Sequence, residues 1–136
     1  MPHPIMFRDD DFGLADVRRI ALGFPGAFEK ISHGRPVFHA NKSFVWYGGS
    51  SKPAGEMVRH DHCIMIKPSE TERPALEQDD RFFVPMYLGP SGWLGLDLTA
   101  SEVDWDEVAE LIDTSYRLVA TKKLIRQLDE RTEGVS

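Results

Sequence analysis

The densest grouping of chemistry-bearing side chains is His60-Asp61-His62-Cys63. Two histidines at i and i+2 on a strand project to one side, and a pair of imidazoles is the beginning of a metal site. A structural zinc site takes four ligands and a catalytic one three, and no clear third ligand stands nearby in sequence. His33 and His39 would join only if a sheet carried them there. Alternation also sends Cys63 to the face opposite His62, so a Cys–His nucleophilic pair is not expected. Cys63 reads as a buried thiol, and the two histidines as polar residues at a strand entrance. These residues call for no metal and no cofactor.

His33-Gly34-Arg35-Pro36 offers different chemistry. Gly34 and Pro36 mark an exposed turn, and the planar fork of Arg35 suits phosphate or carboxylate. A second cationic group is Arg117, Lys122, Lys123 and Arg126. Lys122 and Arg126 are four apart, hence neighbours on a helix with Lys123 beside them, a stripe able to track phosphates. Cations near a helix end also answer its dipole. Tyr116 lies off the apolar stripe of its helix, where it would present an apolar body and a hydrogen-bonding tip to a partner. Lys42, in a turn, adds one more cation. Trp46 and Tyr47 point to opposite faces of a strand, so at most one belongs to a base-stacking platform.

The long-range field opposes unspecific nucleic-acid binding. Net charge is -6 and the pI is about 5.3, whereas a typical nucleic-acid domain lies above ~9. Residues 1–67 carry +2 and residues 68–136 carry -8. No GxxxxGK[ST], GxGxxG or HExxH is present, which leaves the common nucleotide and zinc-protease routes without support.

Positioning these residues requires one core. The 136 residues, 41% hydrophobic, are the size of a single domain, with residues 1–11 and 131–136 expected as flexible termini. One cysteine excludes an internal disulfide framework. No apolar run reaches the ~18 residues of a membrane span, and the early Asp9-Asp10-Asp11 is unlike a signal peptide. A soluble, cytoplasmic protein is expected.

Leu14, Val17, Ile20, Ala21 and Phe24 predict a first helix, capped by Asp11 or a neighbouring aspartate and stopped by Pro25-Gly26. Residues 36–40 and 43–47 predict a hairpin turning at Asn41-Lys42. Residues 60–67 predict a strand covered on both faces, and Ser69 with Glu72 a capping box. Residues 82–88 predict a strand that Pro85 restricts to an edge or a bulge. Residues 93–98 predict another strand. Asp104 and Glu107 open the strongest helix, to about Ala120, and an amphipathic segment follows over 122–130. The order is α-β-β-β-α-β-β-α with a short closing helix. The fold class is α+β, a mainly antiparallel five-stranded sheet with helices packed on one face.

In these elements the chain resembles the YjbR/MmcQ-like proteins. The carrying stretches are Ala21-Leu22-Gly23-Phe24-Pro25-Gly26, His33-Gly34-Arg35-Pro36-Val37-Phe38, Lys67-Pro68 through Arg73, Gly92-Trp93-Leu94 and Ser115-Tyr116-Arg117-Leu118-Val119-Ala120. The likeness runs from about Leu14 to Leu128. It departs at Thr121-Lys122-Lys123-Leu124-Ile125, where many relatives have a proline and a denser lysine cluster. The resemblance implies a small α+β domain shaped like frataxin-like and secretion-chaperone-like folds. It also implies a DNA-binding label, without an agreed activity.

The first expectation is therefore a non-enzymatic domain that binds nucleic acid through His33, Arg35, Lys42, Tyr116, Arg117, Lys122, Lys123 and Arg126. The alternative is a module for a protein partner, a second copy of itself or a small ligand, using the exposed sheet face and the 48–58 loop. An enzyme ranks last.

Overall fold

Leu14, Val17 and Ala21 recur at helical spacing and are fully buried along α1 (Leu14–Ala21) in the computed structural model, which describes residues 4–133. The expected aspartate cap is absent from this helix. Gly13, at φ 78°, precedes it, and the Asp11 carboxylate instead accepts from the Arg8 N–H at 2.9 Å. Of the expected flexible termini, residues 1–3 and 134–136 lie outside the described residues. Within the described part, the Met6 N–H donates to Gly34 O at 2.9 Å and Phe7 packs against the core.

Six strands follow, one more than the sequence predicts. They are β1 (Phe28–Ser32), β2 (Arg35–Ala40), β3 (Lys42–Ser51), β4 (Val58–Ile66), β5 (Phe82–Phe83) and β6 (Leu94–Asp97), ordered β1-β2-β3-β4-β6-β5 and antiparallel throughout. The additional strand is β1, an edge strand whose short, partly charged sequence carries no apolar alternation. The other edge is β5, which stops after Phe83, two residues before Pro85, as a missing N–H donor demands. Between β5 and β6 the chain makes a short 3-10 turn at Gly89–Ser91.

The helices α2 (Arg73–Glu77), α3 (Trp105–Val119) and α4 (Lys122–Glu133) complete the fold. Asp104 caps α3, accepting from the N–H groups of Asp106 and Glu107, and Ser69 accepts from the Glu72 N–H at 3.2 Å before α2. On one face of the sheet α1 and α3 pack over Phe38, Tyr47, Ile64 and Leu96. Ser115 permits close approach there. Its hydroxyl donates to Phe44 O at 2.6 Å and accepts from the Lys67 N–H at 3.0 Å, tying α3 to two strands. Leu124 of α4 lies against Gly26, where φ is 71° and a Cβ would sit 2.9 Å from the leucine.

The opposite face has its own smaller core, Cys63, Met65 and Trp93, with Trp46, Phe83 and Leu88 around it. Residues 84–93 supply the cover over β4 and β6, so β4 is buried on both faces over Cys63–Ile66, while its first half, from Val58 to His62, is exposed or only partly buried. Among the described residues no helix is long and apolar enough to cross a membrane.

Candidate functional site

The β2–β3 turn depends on Asn41, which holds φ 77° and donates from Nδ2 to Val119 O at 3.1 Å. That bond seats the turn, and with it Lys42, against the junction of α3 and α4. The junction is a true break. Ala120 is extended, at φ -70° and ψ 158°, and Thr121 Oγ1 accepts from the Leu124 N–H at 3.2 Å to start the next helix. Lys122 and Lys123 therefore occupy the first turn of α4, with Arg126 one turn on, and all three are exposed, as is Lys42.

This placement changes the electrostatic meaning of the lysines. Cations near a helix C-terminus are favourable, but the first turn of a helix is its positive end, and the effect fades within one turn. No acidic residue stands in the first turn of α4. Among the described residues none of Lys42, Lys122, Lys123 and Arg126 forms an ion pair. Four cations and a helix N-terminus thus share one corner, on a chain whose net charge is -6. Along the face of α4, Lys122, Ile125 and Arg126 give way one turn on to the acids Asp129 and Glu130.

The other expected contacts lie elsewhere. Arg117 is on the surface of α3 but is held by Asp113 at 2.6 Å and Asp129 at 2.9 Å, hydrogen bonds that raise its pKa further. Tyr116 is not at the surface. Its ring packs between Phe24 and Phe44, its hydroxyl donates to Pro25 O at 2.7 Å, and burial raises its pKa. The apolar stripe of α3 is wider than the sequence implies, because the helix meets the sheet on one side and the Phe24–Pro25 turn on the other. Arg35 is likewise no turn residue. It opens β2, is 7% exposed, and pairs with Asp61 at 3.2 Å, a carboxylate shared with Arg59 at 2.9 Å. His33 sits in the preceding turn at φ 51°, exposed, with its ring 6.1 Å from that of Trp46.

The histidine grouping does not converge. Pairing between β3 and β4 is irregular between Tyr47 and Gly49, which breaks the alternation that would unite His60 with His62. The His60 ring stacks on Phe83 at 3.8 Å and its Nε2 lies 2.8 Å from Ser51 Oγ, whereas His62 Nε2 is 3.9 Å from Asp11. Burial lowers the pKa of His60 and pushes the Cys63 thiol up to about 12. Among the described residues no three of His, Cys, Asp or Glu are grouped to hold a metal ion. The Ser51–His60 pair and the Asn41–Val119 anchor have no signal in the sequence, since each joins residues whose meeting depends on strand register or on packing across the domain.

Among curated proteins no sequence matches this chain. In fold it is similar to the crystal structure of protein DR2400 of Deinococcus radiodurans, which carries a DUF419 domain, with a TM-score of 0.59 and 20% identity over 85% of this chain and 87% of that one. A sequence profile described as YjbR matches residues 22–118. With most of its length inside that match, the chain belongs to the YjbR family.

Proposed function

We propose that this YjbR-family domain is a non-enzymatic binding module that takes nucleic acid by its phosphates at the corner of Lys42, Lys122, Lys123 and Arg126. The observation that carries the reading is the pair of lysines in the first turn of α4, where they oppose the helix dipole with no acid to offset them. Phosphates relieve that conflict, and helix N-termini are recurrent anion sites. Buried Tyr116 and Arg35, ion-paired Arg117 and His33 beside Trp46 take no part in this contact. The acidic remainder of the chain acts as a brake, so binding is local and salt-sensitive.

Fluorescence anisotropy with a labelled duplex and a labelled single strand, at low and physiological salt, tests this. Four phosphate contacts give a log–log salt slope of about -3 to -4. Absence of binding to either strand form at low salt would overturn the reading.

A further inference from the structure

Among the described residues three buried side-chain atoms have no hydrogen-bond partner: Arg35 Nη1, His39 Nε2 and Trp46 Nε1. They lie on one patch. Arg35, Val37 and His39 share a face of β2, whose pairing with β1 is regular across all three; Val37 is paired with Trp46 of β3, and the β2–β3 register shifts only beyond that pair, between Phe38 and His39. Each orphan is thus within about two ladder positions, ~7 Å along the strand, of the Val37–Trp46 pair. More than ~90% of buried polar groups find partners, so three neighbouring exceptions on one sheet face require an explanation.

The patch is cationic and aromatic. Asp61 answers two guanidinium groups, Arg35 and Arg59, and Lys30 pairs across from Val37 on the same face. Two of the orphans, on Arg35 and Trp46, are obligate donors. Burial, helped by Lys30, lowers the His39 pKa, so the ring is neutral at pH 7 and offers one donor and one acceptor. Two exposed rings lie beside the orphans. The Phe28 ring, half exposed, stacks with His39 at 5.4 Å and 14°, and the His33 ring lies 6.1 Å from Trp46 at 26°.

We infer that this patch of β2 and β3 is a second ligand site, built for a small planar aromatic carboxylate. The carboxylate accepts from Arg35 Nη1 and Trp46 Nε1, and the ring replaces Phe28 or His33 against His39 or Trp46. The site is separate from the lysine corner, and neither depends on the other.

The test is a titration of the full chain with 2-naphthoate and, separately, its neutral amide, followed by the indole N–H resonances and by calorimetry. Naphthoate is expected to shift the Trp46 indole N–H and to bind at least tenfold more tightly than the amide. Trp46→Phe, which keeps a ring and removes the donor, is expected to weaken naphthoate about tenfold. An unmoved Trp46 indole at about 10 mM naphthoate, equal binding of acid and amide, or an unchanged affinity in Trp46→Phe would overturn the inference. Should Trp46→Phe fail to fold, the acid-versus-amide comparison on the native chain decides alone.

Discussion

Reversing both lysines at the start of α4, Lys122→Glu with Lys123→Glu, is expected to move stability and binding in opposite directions. Each reversal removes a cation from the positive end of the helix and installs an anion there. Such charges are worth ~0.3–1 kcal/mol apiece, and exposure places these at the low end. Four changes of about 0.3 kcal/mol come from the dipole alone. The new carboxylate at position 122 also faces Arg126 at i,i+4, which adds about 0.3 kcal/mol and brings the stabilisation to roughly 1.5 kcal/mol. For a chain of this size that raises Tm by about 5 °C. The same double variant loses two of four phosphate contacts, so the salt slope should shrink by about half and affinity should collapse at physiological salt. Thermal unfolding and anisotropy on one preparation read both quantities. A double variant that is less stable, or that binds with an unchanged salt slope, refutes the reasoning.

Three further outcomes follow from the same geometry. Tyr116→Phe keeps the ring among Phe24 and Phe44 but leaves Pro25 O without its donor, so urea unfolding should show a loss of about 1–2 kcal/mol while nucleic-acid affinity stays unchanged. Gly48→Ala should destabilise the fold by about 2 kcal/mol or more, because φ is 84° there and a Cβ would overlap the Arg35 guanidinium; a Tm within about 1–2 °C of the parent would contradict this. Burial lowers the pKa of both His39 and His60, so the unfolded chain takes up protons first as pH falls below about 6.5. Stability from these rings is complete above that pH and declines below it until the folded-state values are passed. A Tm that rises as pH falls from about 7.5 to 5.5, or ring resonances titrating at or above about 6.5, would contradict the assignment.

What is legible in the sequence is the chemistry that acts locally. Asp104 before α3 and Ser69 before Glu72 act within three residues of themselves, and Asn41 takes the positive φ that its turn requires; each performs as its type and spacing predict. Pro85 likewise excludes a long inner strand at β5. Strand β1 is not legible, because an edge strand with no fully buried residue and bearing Glu29 and Lys30 has no apolar period to detect. Tyr116 falls outside the predicted stripe because a helix packed on two sides buries a wider arc than one stripe. His60 and His62 separate because one irregular step in a ladder resets which way side chains point.

The candidate site divides in the same way. Lys122, Lys123 and Arg126 are visible in sequence as a basic stripe. Their helix-start position and the approach of Lys42 are not, since both rest on the break at Ala120 and on a contact between residues 41 and 119. The orphaned nitrogens of Arg35, His39 and Trp46 are invisible for a related reason: which atoms lack partners is known only once the β2–β3 register is set.

The most direct test of the lysine corner is an amide chemical-shift titration of the native chain with a short single-stranded oligodeoxynucleotide at low salt. Perturbations concentrated at Lys42 and at residues 119–126, and reversed by added salt, are the predicted result. Unmoved amides at that corner, with or without shifts elsewhere on the domain, would contradict the account.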